Sequence, residues 1–129
     1  MVLVDTSIWI RWFRERRPQH PDPLEMAGVV TCAPVLQEIF QGFDDVPSHS
    51  PIRLNLLAVP RLTDPVPIDA FLAAADIYRD VRRKGFTIDS PLDCLIAAIA
   101  IRNDVPIMHE DEDFETIARF TPLRIAKRF

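Results

Sequence analysis

The sequence predicts an α/β domain, three layers thick, in which helices cover both faces of a mostly parallel sheet of about four to five strands. Two observations carry this. Short apolar runs at Val2–Val4, Gly28–Thr31 and Val105–His109 alternate with longer segments whose apolar residues recur at helical spacing. Strands that alternate with single or paired helices are joined by crossovers, and crossovers put helices on the faces of a parallel sheet. A third observation bears on function. Asp5, Glu38, Asp93 and Asp111 each stand at or near the start of a predicted helix, and in such a domain these positions converge at the carboxyl ends of the strands.

Val2–Val4 reads as the first strand, ending at Asp5-Thr6-Ser7, after which Ile8, Trp9, Trp12 and Phe13 fall at helical spacing. Three prolines between Pro18 and Pro23 end that helix and predict a loop. Gly28–Thr31 is the second strand. Pro34 suits a first helical position, where a missing N–H costs nothing, and Val35, Leu36, Ile39 and Phe40 form one face up to Gly42. Asp44–Pro51 is polar and interrupted by proline, so it reads as a loop or a poorly formed helix start, with helix over Arg53–Leu57 and a short strand over Ala58–Leu62. Two more prolines follow in Thr63–Pro67. Ile68, Phe71, Leu72, Ala75 and Tyr78 then make an amphipathic helix over Ile68–Lys84, closed by Gly85. Ser90-Pro91 opens the most strongly patterned helix, with Leu92, Leu95, Ile96 and Ile99 spaced i, i+3, i+4, i+7. Val105–His109 is a strand, Glu112–Phe120 a helix and Leu123–Ala126 a last strand.

A chain of 129 residues without repeats fits one domain over residues 1–129, and 48% apolar residues suffice for one core. The amino terminus lacks the basic segment and long apolar stretch of a secretory signal. The longest apolar segment, Leu92–Ile101, is interrupted by Asp93 and too short to cross a bilayer. Cys32 and Cys94 lie in apolar contexts and are expected to be buried, reduced thiols, which favours a soluble protein of the reducing cytoplasm. The net charge of -4 argues against a nucleic-acid partner, because phosphate contacts need lysine and arginine. The distribution qualifies the sum. Bases cluster at Arg11, Arg14, Arg16 and Arg17, at Arg79, Arg82, Arg83 and Lys84, and at Arg124, Lys127 and Arg128, whereas acids cluster from Asp104 to Glu115. An acidic pocket with basic flanks has this distribution; so do ordinary solvated helix faces.

Each acid alone has a plain structural explanation. Asp5 suits an N-cap, although Thr6 or Ser7 could cap in its place and leave it free. Glu38 falls on the second turn of its helix, at the edge of the apolar stripe. Ser90-Pro91-Leu92-Asp93 has capping-box spacing, but aspartate is short for that reach, and its apolar neighbours place the carboxylate close to the core. Asp111 and Asp113, in His109-Glu110-Asp111-Glu112-Asp113-Phe114, suit the positive end of a helix dipole. Together the acids say more, because four carboxylates in one pocket repel one another unless protonated or neutralised by a cation. An all-oxygen donor set suits Mg²⁺ or Mn²⁺, and one or two such ions promote phosphodiester hydrolysis. His20, His49 and His109 are scattered, with no Cys/His spacing for zinc, and the three glycines form no phosphate loop. His109 could touch substrate, orient Asp111 or simply end a strand.

Val2-Leu3-Val4-Asp5-Thr6-Ser7, Pro34-Val-Leu-Gln-Glu38-Ile, Asp93-Cys-Leu-Ile-Ala-Ala-Ile-Ala100 and His109-Glu-Asp111-Glu-Asp113-Phe114 resemble, in that order and over nearly the whole chain, the motifs of PIN-domain ribonucleases. More narrowly they resemble VapC-type toxins of bacterial toxin-antitoxin pairs. The resemblance implies a PIN-like fold and a Mg²⁺- or Mn²⁺-dependent endoribonuclease, a homodimer, inhibited by a small VapB-type antitoxin. By position it implies Asp5, Glu38, Asp93 and Asp111 as the catalytic, metal-holding acids, Asp113 as an auxiliary acid and Ser7 as the support of Asp5. The prolines between Gly42 and Ile52 depart from the long helix common there in relatives. Arg11, Arg14, Arg82 and Arg83 are weaker candidates for holding RNA. A signalling receiver domain also gathers aspartates at strand ends, and Lys127 could supply its lysine, but Asp5 has no acidic neighbour and Asp93 falls inside a helix. A PIN-like binding module without catalysis would lack one or more of the acids, and all four are present.

Overall fold

The computed structural model describes residues 1–15, 27–43 and 50–127. Its elements run β1 (Val2–Val4), α1 (Thr6–Glu15), β2 (Val29–Val30), α2 (Ala33–Gln41), α3 (Ser50–Ala58), α4 (Ile68–Arg83), α5 (Pro91–Arg102), β3 (Ile107–Met108) and α6 (Glu112–Phe120). The loop expected at Pro18–Pro23, most of the polar stretch before α3, and Arg16, Arg17, His20, His49 and Arg128 lie outside the described residues.

The sheet has the order β2-β1-β3, and both pairings are parallel, with Val2 opposite Val29 and Leu3 opposite Ile107. Single bridges, Thr31 with Arg61 and Ile107 with Ile125, extend it by one residue pair on each side. The strands expected at Ala58–Leu62 and Leu123–Ala126 are therefore reduced to these bridges, and the sheet has three full strands among the described residues. The reasons are local. Thr31 N–H donates to Pro60 O and Leu62 N–H to Thr31 O, at 2.9 and 2.8 Å. α3 occupies the chain up to Ala58, and Pro60 has no N–H for a further rung. On the other edge Leu123 N–H is taken by Thr121 Oγ1 at 3.3 Å.

From β1 the chain steps through α1 to β2, then through α2 and α3 to Arg61; α4 and α5 carry it back past β1 to β3, and α6 on to Ile125. Right-handed crossovers then put α1–α3 on one face and α4–α6 on the other. The packing agrees: α4 lies against α5 and α6, α1 against α2, and α2 against α3, while α2 also meets α5. The chain reverses direction between β1 and β3, which opens a crevice at their carboxyl ends.

Burial on both faces explains why the strands read as continuous apolar runs: Leu3, Val4, Val29, Val30, Ile107 and Met108 are all buried. α5 is buried from Asp93 to Ala100, and its alanines admit close neighbours. The indole of fully buried Trp9 donates to Val4 O at 3.1 Å, satisfying a carbonyl at the end of β1. Cys32 and Cys94 are free and buried, and burial pushes their thiols up to about 12 and about 11. Gly85 follows α4 with φ +91°, a conformation that favours glycine. No described helix is long and apolar enough to cross a membrane.

Candidate metal centre

Asp5 is held at the mouth of the crevice because the β1–β3 ladder continues one residue past the strand, its N–H donating to Met108 O at 2.9 Å. α1 begins at the very next residue, so Asp5, and not Thr6 or Ser7, makes the capping bond. Its Oδ2 accepts from Ser7 N–H at 3.1 Å and from Ser7 Oγ–H at 2.7 Å. The alternative in which Thr6 or Ser7 caps instead fails because Asp5 is the one residue between β1 and α1, and Thr6 and Ser7 are already helical. Only one oxygen is committed, however, and Oδ1 is buried without a hydrogen-bond partner. Ser7 Oγ also accepts from Glu110 N–H at 3.0 Å, which ties the segment after β3 to the support of Asp5.

Glu38, half-buried on α2, receives Thr6 Oγ1–H on Oε1 at 3.2 Å. Thr6 is the partner sequence reasoning missed; a threonine beside an aspartate reads as a cap, and only the packing of α1 on α2 turns it toward Glu38.

Asp93 occupies the third position of α5, where a capping box would direct it back to Ser90 N–H. That N–H is already taken: Asp113 Oδ2 accepts from Ser90 N–H at 3.0 Å, and Asp113 Oδ1 from Asp89 N–H at 3.1 Å. Ser90 makes no side-chain cap bond either. Asp113 thus anchors the start of α5 and frees Asp93, whose Oδ2 is buried without a partner.

Asp111 caps α6 with Oδ1, which accepts from Asp113 N–H at 3.0 Å, while its own N–H donates to His109 Nδ1 at 2.9 Å. His109 Nε2 lies 3.1 Å from Glu115 Oε1. Carboxylate oxygens of Asp5, Glu38 and Asp93 come within 4.8 Å of one another, as do those of Asp93, Asp111 and Asp113. The four acids singled out in the sequence, and Asp113 with them, therefore share one crevice, with Asp93 common to both groups.

The electrostatics follow from this crowding. Burial pushes the Asp93 carboxyl up to about 9, helped by a proton shared with Asp113 and by the charges of Asp5 and Asp111. Burial also raises Asp5, against the hydrogen bonds from Ser7, and raises Glu38, with Asp5 as the next cause. Among the described residues no lysine or arginine pairs with these carboxylates; the nearby cation Arg11 pairs with Glu110 instead. Two buried carboxylate oxygens without partners, in a pocket where the described residues supply no counter-charge, suit a hard divalent cation, and every donor is an oxygen.

The basic candidates are less drawn together. Arg14 is exposed on α1. Arg82 and Arg83 are exposed on the last turn of α4, where Arg82 reaches Thr87 Oγ1 at 3.3 Å and Arg83 pairs with Asp80 at 3.4 Å.

The PIN-domain family model matches residues 2–120. VapC ribonuclease Mb1587 of Mycobacterium bovis and ribonuclease VapC11 of Mycobacterium tuberculosis are each 41% identical to this chain, over 98% of its length and 98% of their own. Among solved structures, VapBC-5 of Mycobacterium tuberculosis shares the fold with a TM-score of 0.64 at 23% identity, covering 97% of this chain and 96% of that one. VapBC2 of Rickettsia felis does so with a TM-score of 0.67 at 15% identity, covering 98% of both. With the family model spanning most of its residues and relatives aligned along nearly all of it, the chain belongs to the PIN-domain family, in the group of the VapC ribonucleases.

Proposed function

We propose that this protein is a divalent-metal-dependent endoribonuclease, the toxin of a VapBC pair, and that Asp5, Glu38, Asp93 and Asp111 are its metal-holding and catalytic acids. The observation that carries the reading is the pair of buried, unpartnered oxygens, Asp5 Oδ1 and Asp93 Oδ2, inside a cluster of carboxylates. The VapC ribonucleases at 41% identity support RNA as the substrate.

Asp5, Asp93 and Asp111 would hold Mg²⁺ or Mn²⁺, which would supply charge stabilisation at phosphoryl oxygens and lower the pKa of water. Ser7 holds Asp5 through Oδ2 and leaves Oδ1 uncommitted. Glu38 is fixed through Oε1 by Thr6, and its carboxylate would serve as a further ligand or as a general base toward water. Asp113 holds the start of α5 so that Asp93 faces the crevice. Arg14, Arg82 and Arg83 are exposed and could contact an RNA backbone, as could the half-buried Arg11 on leaving Glu110.

The chain acts in the cytoplasm as a homodimer held by a VapB-type antitoxin. Self-association is supported by α4, where Ile68, Phe71 and Leu72 are exposed beside an apolar groove of about 440 Å³ lined by Tyr78, Leu92 and Leu95. The free, buried cysteines suit a reducing compartment.

Purified protein, freed of any antitoxin, is expected to cut total bacterial RNA into discrete fragments with Mg²⁺ or Mn²⁺. Chelator and Asp93→Asn should each abolish the fragments. Cleavage that survives both would overturn the reading.

A further inference from the structure

We propose that His109 is a positioning residue, whose Nδ1 holds the Asp111 backbone so that the Asp111 carboxylate is presented to the metal centre, with Glu115 fixing the tautomer this requires. The inference rests on the reading of Asp111 as a metal ligand.

Asp111 is held at two points. Its Oδ1 accepts from Asp113 N–H, and its N–H donates to His109 Nδ1 at 2.9 Å, leaving Oδ2 uncommitted among the described residues. A ring nitrogen that receives an N–H is the unprotonated one, so the ring hydrogen resides on Nε2, where it donates to Glu115 Oε1 at 3.1 Å. His109 is 6% exposed, and its ring lies against Phe114 with centroids 5.3 Å apart, so the imidazole is clamped. A side-chain acceptor for the N–H two residues ahead is the bond of an Asx turn. Here histidine makes it from inside the core, and the same ring reaches forward to Glu115 in the first turn of α6. Outer partners of this kind orient a ligand without touching the ion, and their loss typically costs about 10- to 100-fold in metal affinity or activity.

The test separates the acceptor from the bulk. His109→Phe keeps a buried ring against Phe114 and removes the acceptor, whereas His109→Asn gives up bulk but can restore the acceptor through Oδ1. Mn²⁺ affinity is measured on the full chain by titration with detection of free Mn²⁺ by electron paramagnetic resonance, alongside thermal midpoints. His109→Phe is expected to bind Mn²⁺ about 10- to 100-fold more weakly, and His109→Asn to stay within about threefold of wild type, whichever variant melts lower. Should His109→Phe fail to fold, Glu115→Leu, at a solvent-facing position, is expected to weaken Mn²⁺ binding and Glu115→Gln to preserve it. Wild-type affinity in His109→Phe or Glu115→Leu, or affinities that merely follow the thermal midpoints, would overturn the inference while leaving the metal centre standing. A folded wild type that binds no Mn²⁺ overturns the metal-centre reading and the positioning role with it.

Discussion

At Asp93 a hydrogen bond made elsewhere decides what a carboxylate is free to do. Because Asp113 takes the Ser90 N–H, Asp93 cannot spend its carboxylate on capping α5, and it lies buried among like charges. The sign of the resulting pH dependence follows. Between the ordinary carboxyl value of 3.8 and about 9, the folded protein holds a proton on Asp93 that the unfolded chain has released. Stability without metal therefore falls as pH rises through that window, with a slope of at most ~1.4 kcal/mol per pH unit for this group, and levels off above it. Asp5 and Glu38, also raised, act in the same direction. Urea midpoints measured across the window in chelator check this, and a stability that rises with pH would contradict it. Asp93→Asn should be more stable than wild type at the alkaline end, since the amide carries no charge to bury. Ser7→Ala removes the donor to Asp5 and the acceptor for Glu110 N–H. It should cost about 1 kcal/mol of stability and roughly 10- to 100-fold in cleavage rate, read from melting curves and fragment yields. The acids were legible in the sequence because their type and their position at or near helix starts carry meaning. Thr6 and the clamp made by Asp113 were not, since side-chain partners far apart in sequence depend on how α1, α2 and α6 pack.

α1, α2 and α6 begin just after strands, while α5 follows α4 and brings Asp93 to the same crevice. Proline in the first turn of α2 and of α5, and the apolar faces behind them, marked these elements in advance. The edge strands were overestimated for the converse reason. Ala58–Leu62 and Leu123–Ala126 have apolar residues, but each makes one bridge where a strand needs a ladder. α4 carries two surfaces with separate predictions. Replacing Arg82 and Arg83 with glutamine should flatten the salt dependence of RNA binding by about 0.7 in log–log slope for each phosphate that these arginines neutralise, measured with a cleavage-dead variant. Leu72→Asp, at a position 61% exposed, should shift the protein to monomer in sedimentation velocity with its helical content unchanged. An unaltered sedimentation coefficient would remove α4 from the self-association surface.

Across the whole molecule, a reversal of chain direction between β1 and β3 makes one crevice, and the sequence delivers an acid to it from the end of β1, from α2, from α5 and from the start of α6. The alternation of apolar runs and helical segments was enough to read the parallel sheet, because each strand is buried on both faces. The order of strands was not readable, since the periodicity of a segment says nothing about its neighbour in the sheet. The central claim is that the carboxylates exist to hold a cation. Crystals grown with Mn²⁺ and measured near its absorption edge test it most directly. An anomalous-difference peak is expected within ligand distance of Asp5 and Asp93, about 2 to 2.5 Å, and it should disappear in Asp93→Asn. A crevice without such a peak in fully Mn²⁺-loaded crystals, or a peak that persists in that variant, would contradict it.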